Sequence, residues 1–167
     1  MAGHDTKCFV SKTKISPMMQ LHPLFTLFAD VAEPQVAPNG PYGVRRFIPI
    51  TGGHFEGKRI SGKILPGGAD CQLIRPDGVA ELEVRCTFET DDGVMFLMKG
   101  LGMRHGPEEV LQRIAKGQPV DPHEYYFREL MHFEAPDGKY GWLNKLLAIG
   151  TGERKAAEVI VEVFEIL

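Results

Sequence analysis

The chain has 167 residues and a formal charge of −3, with acidic and basic residues mixed along its length. That length suits one domain with a real core, and no basic stripe points to nucleic acid and no polybasic run to an anionic membrane. The longest apolar run, near Leu24–Phe28, is far too short to cross a bilayer.

No basic segment followed by an apolar core opens the chain, so no signal peptide is expected. Cys8, Cys71 and Cys86 are odd in number and stand at no ligand spacing. They read as reduced thiols of a cytoplasmic protein.

Residues 1–20 are polar and read as an N-terminal extension, which leaves 21–167 as the folded domain. Leu21–Val31 is the first apolar segment and a strand candidate. Glu33–Tyr42 holds three prolines among its residues and reads as a loop. Val44–Ile50 is strand-like and broken by Thr51-Gly52-Gly53. Glu56-Gly57-Lys58 turns into Arg59–Leu65, and Pro66-Gly67-Gly68 turns again into Asp70–Arg75. Pro76-Asp77-Gly78 is a strong hairpin signal.

The next segment alternates cleanly. Leu82, Val84, Cys86 and Phe88 point one way, and Glu81, Glu83, Arg85 and Thr87 the other. Asp91-Asp92-Gly93 turns the chain into Val94–Lys99. Gly106–Gly117 carries Pro107 at a first helical position, acids in its first turn and a glycine stop, so it predicts one short helix. Tyr125–Glu134, Tyr140–Ile149 and Ala157–Leu167 are further strand candidates, with turns at Pro136-Asp137-Gly138 and Gly150–Glu153. Many short strands joined by Gly/Pro/Asp turns predict an all-β antiparallel sandwich or barrel.

The residues exclude several chemistries. The six histidines have no zinc-motif spacing, no G-x-S-x-G elbow is present, and the glycine pairs lack the Lys-Ser/Thr of a phosphate loop. No metal and no cofactor are expected. Cys71 lacks a nearby cation to activate it and reads as a small packed thiol.

The acids and bases on strands carry more. On Tyr125–Glu134, period two puts Tyr126, Arg128 and His132 on one face and Tyr125, Phe127, Met131 and Phe133 on the other. The second is a core stripe. The first either lines a lumen or faces water. Trp142, the only tryptophan, stands beside Asn144 and suits a core, an interface or a pocket wall.

Taken in order, several motifs are similar to one family. They are Ile50-Thr51-Gly52-Gly53-x-Phe55-x-Gly57, Gly62-x-x-Leu65-Pro66-Gly67-Gly68-Ala69-Asp70-x-Gln72, Asp77-Gly78, Asp92-Gly93, Tyr126-Phe127-Arg128 and Tyr140-x-Trp142-Leu143-Asn144. The chain over residues 21–167 resembles domain of unknown function 3237, also called uncharacterised protein family 0311.

The resemblance implies a single antiparallel β-barrel of about eight or more strands with an internal cavity. It implies mostly bacterial and fungal relatives without assigned activity. A few fungal relatives are associated with secondary metabolism, including cyclisation-type chemistry on aromatic polyketides. The family has no agreed catalytic set to carry across. Two positions depart from the common pattern: Cys71 stands where many relatives have an aromatic, commonly Trp, and His54 replaces a small hydroxyl residue.

In such a barrel Gly67-Gly68 would make a corner, and Asp70 would be the first acid past it. Asp70 and Arg128 could then meet as a buried ion pair. The first expectation is a barrel that binds a small, partly aromatic or apolar molecule, with Tyr126 and Trp142 as wall and Asp70, Gln72, Arg128 and Asn144 as orienting groups. The second is a cofactor-independent enzyme, an isomerase, cyclase or hydro-lyase, with Asp70 as base and Arg128 stabilising negative charge. The third is a filled barrel with a structural or assembly role. No nucleic-acid or membrane partner is expected, and an exposed barrel edge or the Val159–Ile166 strand could pair with a second copy as a homodimer.

Overall fold

A computed structural model describes residues 18–167. The expected extension therefore lies almost wholly outside the described residues, and His4 and Cys8 with it. Nine strands follow in order: β1 (Leu21–Val31), β2 (Gln35–Gly40), β3 (Gly43–Glu56), β4 (Gly62–Ile74), β5 (Ala80–Thr90), β6 (Met95–His105), β7 (Tyr126–Glu134), β8 (Ala148–Arg154) and β9 (Glu158–Ile166). One helix, α1 (Glu108–Ala115), lies between β6 and β7.

From β3 to β9 each strand pairs antiparallel with the next. β1 then pairs with β9 on one side and with the second half of β3 on the other, which closes an eight-stranded barrel. The short β2 adds outside the ring to the first half of β3. It occupies the segment the prolines marked as a loop.

The two glycine pairs do not end strands. They sit inside β3 and β4 as bulges, where the register shifts between Ile50 and His54 and between Leu65 and Ala69. Gly67 takes a φ of 107°, which an L-residue rarely adopts. Gly68 lies so close to β5 that a side chain there would overlap the Arg85 carbonyl. A bulge sharpens the local twist and bends the strand, which helps a small barrel close.

The two ends of the lumen differ. At one end Phe25, Phe55, Phe88, Phe96 and Phe133 pack mostly edge to face, with Phe88 and Phe96 stacked at 4.9 Å. This aromatic plug fills that end. The Tyr140–Ile149 segment, expected as a strand, instead makes a 3-10 turn at Gly141–Lys145 that packs Leu143 beneath the plug. At the other end Val110 of α1 packs with Ala80, Leu82, Val120, Tyr125 and Phe127. The helix thus caps that mouth, and the polar side chains of the interior lie between the two ends.

Candidate functional site

Past the bulge in β4, Asp70 and Gln72 both line the internal cavity, while Cys71 between them borders the outer wall. The Gln72 amide Nε2 donates to Asp70 Oδ2 at 2.5 Å. Among the described residues Asp70 Oδ1 and Gln72 Oε1 are buried with no hydrogen-bond partner by geometry, although the Glu83 backbone lies near enough to favour the charged form of Asp70. Burial raises the Asp70 carboxyl above its ordinary value, opposed by the Gln72 hydrogen bond and by the charge of Arg104.

Three further lumenal groups complete the cluster. Glu129 of β7 is 5% exposed and sits in register between Gly102 of β6 and Gly150 of β8. The missing side chain at Gly102 leaves room for the Glu129 Cγ, which a Cβ there would approach to 2.6 Å. Burial and the nearby Asp70 charge push that carboxyl up to about 8. Arg104 of β6 is 8% exposed, with its guanidinium 5.9 Å from the centre of the Phe127 ring. No ion pair or hydrogen bond reaches the side chain of Glu129 or Arg104 among the described residues. Arg154 of β8 donates through Nη1 to the carbonyls of Lys155 and Glu158. Its backbone amide donates to the Tyr125 hydroxyl at 2.8 Å.

These groups border an internal cavity of about 40 Å³, otherwise walled by aliphatic side chains such as Ile48, Ile64 and Met98. That is room for about two or three water molecules. Arg104 also lines a second pocket of about 380 Å³, which lies at the mouth between α1 and the rim of β3–β5. Arg46, Ile74, Ala80 and Leu111 form its other sides. One arginine therefore borders both spaces.

The residues expected to join Asp70 and Gln72 lie elsewhere. Arg128 points outward, donates to its neighbour's carbonyl at Phe127 and lies 5.2 Å from the Tyr126 ring. The buried Asp70–Arg128 pair does not form, because the two side chains stand on opposite sides of the barrel wall. Tyr126 is exposed and stacks on His105, and with Arg128 it borders a groove on the outer wall. Cys71 also borders that groove, whereas Cys86 faces the lumen, where burial pushes its thiol up to about 12. Trp142 lies at the plugged end under Arg59, whose guanidinium is 3.8 Å above its ring. Asn144 clamps the turn after β7, accepting from the Ala135 amide at 2.7 Å and donating to the Ala135 carbonyl at 2.9 Å.

Sequence reasoning passed over Arg104, Glu129 and Arg154. One signal was present: Glu129 interrupts the inward stripe Phe127-x-Glu129-x-Met131-x-Phe133. No group of three or more His, Cys, Asp or Glu side chains is gathered as a metal site among the described residues.

Comparison with known proteins fits this architecture. The family model for proteins of unknown function DUF3237 matches residues 19–166. The chain belongs to the DUF3237 family. A UPF0311 protein of Rhodopseudomonas palustris is 40% identical over 153 residues, covering 92% of this chain and 100% of that one. A UPF0311 protein of Clostridium acetobutylicum is 33% identical over 149 residues, covering 89% and 94%.

Among solved structures, a conserved protein of unknown function from Rhodopseudomonas palustris superposes with a TM-score of 0.87 at 41% identity, covering 91% of this chain and all of that one. A beta-barrel like protein from Acinetobacter baumannii gives 0.81 at 39% identity, covering 93% and 100%. A structure described as an enzyme from Penicillium herquei gives 0.69 at 18% identity, covering 93% and 100%, and there the likeness is one of fold.

Proposed function

We propose that this DUF3237 barrel binds a small molecule at its helix-capped end. The polar head enters the lumen beside Asp70, Gln72 and Glu129, and the body lies in the mouth beneath α1. The observation that carries this is the set of buried oxygens without partners, Asp70 Oδ1 and Gln72 Oε1, at the edge of a cavity. A barrel filled only for packing gains nothing from such groups, since each costs free energy until something hydrogen-bonds to it. The opposite end shows how this chain fills a lumen when packing alone is needed, with five phenylalanines. The 40 Å³ cavity admits only a head of a few atoms, so the aromatic or apolar part belongs in the mouth pocket.

Native mass spectrometry of the protein purified from its own host tests this reading. A stoichiometric small molecule, lost in Asp70→Asn or Gln72→Leu, is the expected result. A ligand retained by both variants would place binding elsewhere.

A second reading, proton transfer, is favoured by one observation. Glu129, pushed up to about 8, keeps its proton at neutral pH beside Asp70. A protonated acid next to a carboxylate supplies a donor and an acceptor in one water-poor site, as isomerisation, cyclisation or water addition requires. Glu129→Gln would then abolish turnover of the recovered ligand while leaving its affinity within a few-fold.

A further inference from the structure

At the helix-capped end, three neighbouring arginines join no ion pair among the described residues, although acids lie nearby. Arg46, Arg104 and Arg154 lie close enough for Arg104 to feel the other two. Arg154 is committed to two backbone carbonyls and has Glu33 nearby. Arg104 feels Asp70, but at a separation beyond an ion pair. Arg46 is half-buried on the mouth wall and joins no ion pair among the described residues. The remaining acids are Glu108, which borders the mouth pocket with α1, and Glu129, on the lumen side.

Arg104 is more than nine-tenths buried, so its guanidinium has given up most of its water; burial lowers its pKa, yet an arginine stays charged at neutral pH. Here it stands at the boundary of two spaces, and among the described residues neither a carboxylate nor a carbonyl accepts from its five N–H donors. The geometry points to a ligand that carries a compact organic anion, a carboxylate or a group of the same shape, held by Arg104 and Arg46. The planar fork of arginine matches a carboxylate with two parallel hydrogen bonds. Glu108 and Gln112 stand on the helix side of the mouth, but Ile74, Ala80, Leu111 and Ile114 give it an apolar wall, so the anion belongs to a molecule with a hydrocarbon body rather than to an inorganic ion. The anionic group would sit at the floor of the mouth, within reach of the lumenal carboxyls. This inference names the ligand class for the site proposed above and rests on that site being a binding site.

The test uses the full chain, labelled so that the arginine Nε–H and methionine methyl signals are followed by NMR. The probes are matched acid and amide pairs: benzoate with benzamide, cinnamate with cinnamamide, and hexanoate with hexanamide. The expected result is that acids bind at least tenfold more tightly than their amides and move the Nε–H signals of both Arg104 and Arg46. Arg46→Gln, a half-exposed change that spares the core, should cut the preference for acid about tenfold. Arg104→Gln should abolish it.

If the amides bind as tightly as the acids and move the lumenal Met98 methyl, the binding site stands and the anion inference falls. If no probe moves either arginine signal the inference falls as well, and if none moves Met98 the binding reading falls with it.

Discussion

Gly102 lies directly across from Glu129, and a methyl group added at Gly102 would come within 2.6 Å of the Glu129 Cγ. The glycine is the space the acid occupies. Gly102 has no left-handed φ, so the constraint is room and not backbone strain. Gly102→Ala should destabilise the fold by about 1–3 kcal/mol through overpacking. Chemical denaturation checks this; Gly102→Ala combined with Glu129→Ala should recover only the part of the loss due to the Glu129 side chain, since the Arg128 carbonyl would still lie 2.5 Å from the added methyl group.

The raised acid at Glu129 makes stability depend on pH in a stated direction. Its folded value lies near 8, against an ordinary value of 4.5. Between those values the folded chain holds a proton that the unfolded chain has released. Stability therefore falls as pH rises through that window, by about 1.4 kcal/mol per pH unit for one proton. Burial raises Asp70 too, which adds a loss of the same sign. Urea melts from pH 5 to 8 should show the slope in the wild type, and Glu129→Gln should flatten much of it.

Arg128 and Arg104 should behave differently. Arg128 faces outward, where its hydrogen bond and its contact with Tyr126 are wet. Arg128→Ala should change stability by less than about 1 kcal/mol. Arg104→Met keeps the volume and removes the positive charge that Asp70 feels, so the Asp70 carboxyl should titrate still higher. Thermal melts check the first expectation, and a carboxyl titration followed by NMR checks the second.

At the plugged end, Asp92 accepts from Lys139 Nζ at 2.7 Å, from Thr90 Oγ1 at 2.6 Å and from the Tyr140 hydroxyl at 2.8 Å. Lys139, with Thr90 and Tyr140, holds the carboxyl well below the usual range. A depressed carboxylate contributes stability above its unfolded value near 4 and loses it as pH falls further. Tyr140→Phe should lower the Tm by several degrees at pH 7 and weaken the acid sensitivity below about pH 4, read by calorimetry.

Much of this architecture is legible in the residues. Pro76-Asp77-Gly78 and Asp91-Asp92-Gly93 do turn the chain between β4, β5 and β6, and the segment opened by Pro107 is the helix. What failed has a physical cause. Gly67 and Gly68 read as a turn because a bulge and a turn use the same residues; only the strand pairing on both sides separates them. Period two sorted the faces of β7 but could not say that its site residue stands among the aromatics, as Glu129 does. Asp70 and Gln72 drew notice because they follow the glycine corner, and both line the lumen. Arg104 was not, because its neighbours Met103 and His105 give β6 no apolar–polar contrast there. Trp142 and Asn144 lie in a 3-10 turn that the Tyr140–Ile149 pattern does not announce.

The central claim is that the helix-capped end of the lumen holds buried acids that are incompletely satisfied among the described residues: Asp70 only through Oδ2, and Glu129 by no ion pair or hydrogen bond. The most direct measurement is a ¹³C-NMR titration of the Glu129 and Asp70 carboxyls in the ligand-free full chain, with Glu129→Gln and Asp70→Asn to assign the signals. The account predicts that Glu129 is still protonated at pH 7 and titrates near 8, with Asp70 above its ordinary range. A Glu129 signal that titrates near 4.5 would mean the acid is solvated or paired, and would contradict the site described here.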